Sequence, residues 1–140
     1  MSSESRLYTF STETKDQLRK FRLGTSRSNQ PQARIYQIDK KNMEIRQVDD
    51  EVYTKIPDIV DELPDNTPRY ILLSYPLTLA SGRLSVPYVM VNYLPPTCSS
   101  EMRMLYAGAK ELMRNTSEAG RIIEIDSPED LESIEEKLKE

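Results

Sequence analysis

The stretch from Glu101 to Met113 permits one regular structure and constrains the rest of the chain around it. Its apolar positions return with helical spacing: Leu105, Ala109 and Leu112 line one face, and Met102, Tyr106 and Met113 widen it. A second face carries Glu101, Met104, Gly108 and Glu111 at i, i+3, i+7 and i+10. Solvated helix faces are normally filled with Lys, Glu and Gln, yet this one mixes charge, a methionine and a glycine. The run follows Pro95-Pro96-Thr97-Cys98-Ser99-Ser100, which fixes where it starts. The spacing predicts a helix over about residues 99–115, with core on one side and a contact surface on the other.

Hydrophobic periods elsewhere supply a sheet for that helix to cover. Residues 34–38 and 43–48 read as strands joined through Asp39-Lys40-Lys41-Asn42 as a hairpin. Residues 69–75 form a continuous apolar run, the pattern of a central strand covered on both faces. Residues 88–93 and 121–125 are further strands, with Pro87 at a strand margin because it cannot donate to a ladder. A first helix is expected from Ser11 or Thr12 to about Arg22, burying Thr14, Leu18 and Phe21. Gly24 to Pro31 and Pro76 to Gly82 read as loops. Ile56, Ile59, Val60 and Leu63 suggest a short helix, with Pro57 near its first turn and Pro64 ending it. Ser127-Pro128-Glu129-Asp130 starts a final helix that buries Leu131, Ile134 and Leu138. The order implies an α/β (α+β) domain: a mixed, mostly antiparallel sheet of five to six strands with helices on both faces. Residues 1–140 are expected to form a single domain, with 1–8 as a flexible tail and 9–140 folded.

The 140 residues contain no histidine and one cysteine, Cys98, which removes Cys–His catalysis and ordinary structural zinc sites. Gly24, Gly82, Gly108 and Gly120 are isolated, so there is no Gly-rich phosphate loop. The consecutive carboxylates Asp49-Asp50-Glu51 would alternate faces on an extended strand, which suits a solvated turn better than a metal site. The chain is therefore expected to be a non-enzyme without cofactor or metal. A small enzyme using Asp49 or Asp65 beside Lys55 is the alternative from another class. No apolar run approaches membrane-span length and the first residues lack a signal-peptide pattern, so a cytosolic protein is expected. The net charge of −4 is uneven: residues 1–46 hold ten basic and five acidic side chains, and residues 47–140 hold nine and eighteen. The acidic total argues against general nucleic-acid binding. The basic first part could steer a negatively charged partner.

The segment Met104-Leu105-Tyr106-Ala107-Gly108-Ala109-Lys110 resembles the actin-contacting helix of the actin-depolymerising factor/cofilin homology domain (ADF-H). Within that superfamily, several blocks together resemble the glia maturation factor family. These are Leu18-Arg19-Lys20-Phe21-Arg22, Glu62-Leu63-Pro64 with Pro68-Arg69-Tyr70, Gly82-Arg83 with Pro87, and the long helix. The resemblance runs from about Leu7 to Leu138. It implies an ADF-H/cofilin-like fold and a monomeric regulator of branched actin networks that needs no cofactor. Such a regulator binds the actin-related protein 2/3 complex, inhibits nucleation and promotes debranching. It would act in the cytoplasm at branched structures such as cortical patches. The first actin subunit of a daughter filament is a further implied partner.

Carried over residue by residue, Met104, Ala107, Gly108 and Glu111 would face the groove of an actin-like subunit. Arg103 and Lys110 would stand at its rim, and Ser2 and Ser3 would belong to the contacting tail. Lys15, Arg19, Lys20 and Arg22 would form a second surface, for which a solvated helix face is the simpler reading. Actin-binding cofilins carry two basic residues at the start of this helix, where the chain has Glu101 and Arg103. A carboxylate there would repel an acidic actin surface, which favours the glia maturation factor family over a cofilin-like or coactosin-like filament binder.

Overall fold

Two apolar faces of one sheet account for most of the core. A computed structural model describes residues 7–25 and 29–139. Helix α1 (Thr12–Thr25) leads into strands β1 (Gln32–Asp39) and β2 (Glu44–Gln47), then helix α2 (Ile56–Glu62). Strand β3 (Arg69–Ser74) is followed by the short strands β4 (Leu77–Thr78) and β5 (Leu84–Ser85), then β6 (Tyr88–Tyr93). The long helix α3 (Ser100–Ser117) precedes β7 (Ile122–Ile125), a 3-10 helix (Pro128–Ser133) and helix α4 (Ile134–Leu138). The main sheet has five strands in the order β2-β1-β3-β6-β7. β1 pairs antiparallel with β2 and with β3, and β3 antiparallel with β6. β6 and β7 run parallel, joined through α3, because a parallel pair needs a crossover.

Strand alternation sorts the side chains into two cores. Odd-numbered Ala33, Ile35, Ile71, Leu73, Val89, Val91, Tyr93, Ile123 and Ile125 meet Ile59 of α2, Leu131 of the 3-10 helix and Ile134 and Leu138 of α4. Even-numbered Tyr36, Ile38, Tyr70, Leu72 and Met90 meet Leu18 and Phe21 of α1 and Tyr106, Ala109 and Met113 of α3. Helices therefore cover both faces, and the continuous apolar run in β3 is central, as its sequence requires.

Several local expectations change. The predicted loop at Pro76 to Gly82 contains β4, which pairs with β5 in a separate two-stranded ribbon closed by Gly82 at φ 86°. Helix α1 continues past Arg22 to Thr25, where the Thr25 hydroxyl donates to the Arg22 carbonyl (2.9 Å). Ser11 is its cap, accepting from the Thr14 N–H at 3.0 Å. The final helix opens as a 3-10 turn, and Ser127 makes no side-chain cap bond. The buried centre of α3 is Tyr106, Ala109 and Met113, while Leu105 and Leu112 are only half-buried at its flank. Residues 49–52 bulge away before Tyr53 returns to pair with Ala33. Asp49 holds that bulge, accepting from the Glu51 N–H (3.0 Å) and the Tyr53 hydroxyl (2.7 Å).

Candidate functional site

Helix α3 is a rigid platform because its inner side is locked into the sheet. Tyr106 is 1% exposed, and its hydroxyl accepts the Ile38 N–H at 3.0 Å. The Tyr70 hydroxyl donates to the Tyr106 carbonyl, and the two rings lie 5.2 Å apart. Burial pushes the pKa of both tyrosines up. Ser99 caps the helix, accepting from the Met102 N–H at 3.2 Å. Glu118 ends it in the left-handed conformation at φ 60°.

The outer side of α3 divides into an open stripe and an occupied flank. Met104 is 74% exposed, a large apolar side chain turned to solvent from the second turn of a helix whose inner side is buried. Ala107 and Glu111 are exposed one and two turns further on, and Glu111 lies 3.7 Å from Arg114. Arg103 and Lys110 border this stripe. Arg103 donates to the Pro95 carbonyl at 3.3 Å, and the Lys110 ammonium is 3.9 Å from Glu124. Met104, Ala107 and Glu111 thus form one surface, with the two cations tethered along one side.

Glu101 and Gly108 lie on the other flank, and the chain itself occupies it. Glu101 pairs with the ammonium of Lys40 at the tip of the β1–β2 hairpin. The carboxylate at the helix start is therefore not a bare negative charge, which weakens the electrostatic argument against filamentous actin. Gly108 is covered by Tyr8, whose hydroxyl donates to the Leu105 carbonyl at 2.9 Å. Tyr8 was expected in a flexible tail, but it is 7% exposed and belongs to the core. Ser2 and Ser3 lie outside the described residues.

Tyr8 and Lys40 are the site residues that sequence reasoning missed. Leu7-Tyr8-Thr9-Phe10 is too short and shows no period-2 alternation to signal a strand, yet Thr9 pairs with Glu44 alongside β2. That pairing covers part of an otherwise open sheet edge. For Lys40, nothing in the sequence links a hairpin tip to a helix 61 positions away.

The basic side chains of α1 lie on the same side of the sheet as α3. Lys15, Arg19 and Lys20 are exposed, and Arg19 lies 3.7 Å from Asp16. Arg22 is instead held 3.2 Å from Glu118, joining the C-terminal ends of α1 and α3. Lys15 and Lys20 make no ion pair among the described residues.

No described helix is long and apolar enough to cross a membrane. No cluster of three or more potential metal ligands occurs among the described residues.

Comparison with known proteins places this geometry. The model of the cofilin/tropomyosin-type actin-binding protein family matches residues 7–139. Protein AIM7 of Saccharomyces cerevisiae is 36% identical, with 97% of this chain and 96% of that protein aligned. Human glia maturation factor beta is 37% identical over 88% of this chain and 87% of its own length. The solution structure of glia maturation factor from Caenorhabditis elegans superposes with a TM-score of 0.77 at 30% identity, covering 98% and 99% of the two chains. The chain belongs to the cofilin/tropomyosin-type actin-binding protein family and, within it, is homologous to glia maturation factor.

Proposed function

We propose that the chain binds the actin-related protein 2/3 complex, inhibits nucleation and promotes dissociation of branches. The observation that carries this reading is Met104, 74% exposed at the start of an outer stripe on a helix whose inner side is anchored in the core. Methionine adapts to irregular apolar grooves, and Ala107 lets a partner's backbone come close beside it. Arg103, Lys110 and Glu111 would border the groove of an actin-like subunit. The N-terminal segment, with Ser2 and Ser3, would extend the same contact. Lys15, Arg19, Lys20 and Arg22 would meet a neighbouring subunit or the first actin of the daughter filament. Better binding to one state of the junction would shift the branch toward release. The homology to glia maturation factor supports this reading. Action in the cytoplasm at branched networks such as cortical patches would follow.

Direct binding to actin filaments is the second reading, and the exposed Lys40–Glu101 pair bears on it by setting a cation beside the carboxylate at the helix start. Fluorescence microscopy of preformed branches distinguishes the two. Faster branch loss without filament severing is expected, and Met104→Ala should slow that loss. Severing of unbranched filaments with branch lifetimes unchanged would establish the second reading instead.

A further inference from the structure

Gly108 sits near the middle of the 18-residue helix α3, where a glycine costs about 1 kcal/mol relative to alanine. The structure gives a reason for it. A Cβ at this position would stand 2.5 Å from the Tyr8 hydroxyl oxygen and 3.5 Å from Tyr8 Cζ, so the tyrosine fits only against bare backbone. Tyr8 is itself buried, and its hydroxyl donates to the Leu105 carbonyl at 2.9 Å. The next residue is tied to the sheet by two backbone bonds. The Thr9 N–H donates to the Met43 carbonyl and the Ile45 N–H to the Thr9 carbonyl, each at 2.9 Å. The same hairpin reaches α3 a second time through Lys40 and Glu101. The N-terminal segment, the β1–β2 hairpin and α3 are thus knitted along one flank of the helix.

We propose that Tyr8 and Gly108 form a lock that positions residues 7–9 beside the Met104 stripe, and that Leu7 is a contact residue held there by the lock. The proposal rests on the functional reading above. Gly108 lies one helical turn beyond Met104, and Leu7, adjacent to the locked tyrosine, is 57% exposed. An apolar side chain held in advance beside Met104 and Ala107 would widen their surface without ordering cost at the moment of binding. Gly108 then acts within the chain rather than as a groove contact, and Tyr8 is a positioning residue.

The test is a double-mutant cycle for binding to purified actin-related protein 2/3 complex, using Gly108→Ala, Leu7→Ser and their combination. Tyr8→Phe, which removes only the hydroxyl, and Met104→Ala serve as references. Each of Gly108→Ala and Leu7→Ser is expected to weaken binding about three- to tenfold, with the combination no worse than either alone. Tyr8→Phe should weaken binding in the same direction. Gly108→Ala should also lower the melting temperature, because displacing the buried Tyr8 outweighs the roughly 1 kcal/mol that alanine adds to the helix. Parental affinity in Gly108→Ala, or full additivity with Leu7→Ser, would overturn the proposal. Failure of the parent protein and Met104→Ala alike to bind the complex would instead overturn the functional reading, and with it the claim about affinity. Amide exchange then decides the lock alone. Faster exchange at Thr9 and Ile45 in Gly108→Ala supports it, and unchanged exchange removes it.

Discussion

Met104 and Tyr106 are two residues apart and point in opposite directions, so truncating each should have opposite consequences. Met104 is mostly exposed, and Met104→Ala should change folding stability by less than about 0.5 kcal/mol. Its effect should be faster dissociation from the partner, because central contacts act mainly on the off-rate. Tyr106→Phe deletes the acceptor for the buried Ile38 N–H and should cost about 1–3 kcal/mol in urea denaturation. The charges behave differently again. Lys20 stands exposed on α1, and Lys20→Ala should leave stability unchanged while slowing association and flattening its salt dependence. Stopped-flow binding at two salt concentrations separates this rim effect from the Met104 effect. An equal rise in off-rate for Lys20→Ala would place that residue inside the contact.

At the scale of elements, the ends of α3 offer the clearest test of local structure. Ser99→Ala should destabilise the protein by about 1 kcal/mol through loss of the cap to Met102. Glu118→Gly should stabilise it by about 1 kcal/mol, because glycine adopts φ 60° without strain. The lost ion pair with Arg22 should matter little, since the Glu118 side chain is 61% exposed. Thermal melts of both variants check the two signs. The long periodic elements were legible in the sequence for a physical reason: the sheet is covered on both faces, so β3 is apolar from Tyr70 to Leu73 and β6 from Tyr88 to Val91. The alternation that divides their side chains between two cores follows from strand geometry alone. The β4–β5 ribbon was not legible, because two-residue strands carry no period. The centre of the buried stripe on α3 also moved, from Leu105 and Leu112 to Tyr106 and Met113. Spacing gives a broad apolar arc, and only packing selects its middle. Met104 stood out in sequence as an apolar residue on the wrong face. The covering of Gly108 by Tyr8 and the pairing of Glu101 with Lys40 depend on contacts between distant segments, which spacing cannot reveal.

The whole molecule has no histidine, so no side chain of ordinary pKa titrates between about pH 5 and 8. Stability should be nearly flat there and respond instead to alkali. Burial pushes the Tyr36 hydroxyl up to about 12, and raises Tyr70 and Tyr88 as well. These phenols ionise near pH 10 in the unfolded chain, so above that pH the unfolded state releases protons that the folded state keeps. Their contribution to stability is therefore complete below about pH 10 and should decline as pH rises beyond it. Tyrosinate absorbance should appear together with unfolding, and early ionisation without unfolding would contradict the burial of these rings. The exposed cations Lys15, Arg19 and Lys20 on α1 give one local basic surface that can steer approach to a negatively charged partner. The most direct test of the account is paired equilibrium binding of labelled protein to purified actin-related protein 2/3 complex and to actin filaments at one salt concentration. The account requires tighter binding to the complex than to filaments, lost on Met104→Ala with the melting temperature unchanged. Binding to filaments alone, or binding to the complex that is indifferent to Met104→Ala, would contradict it.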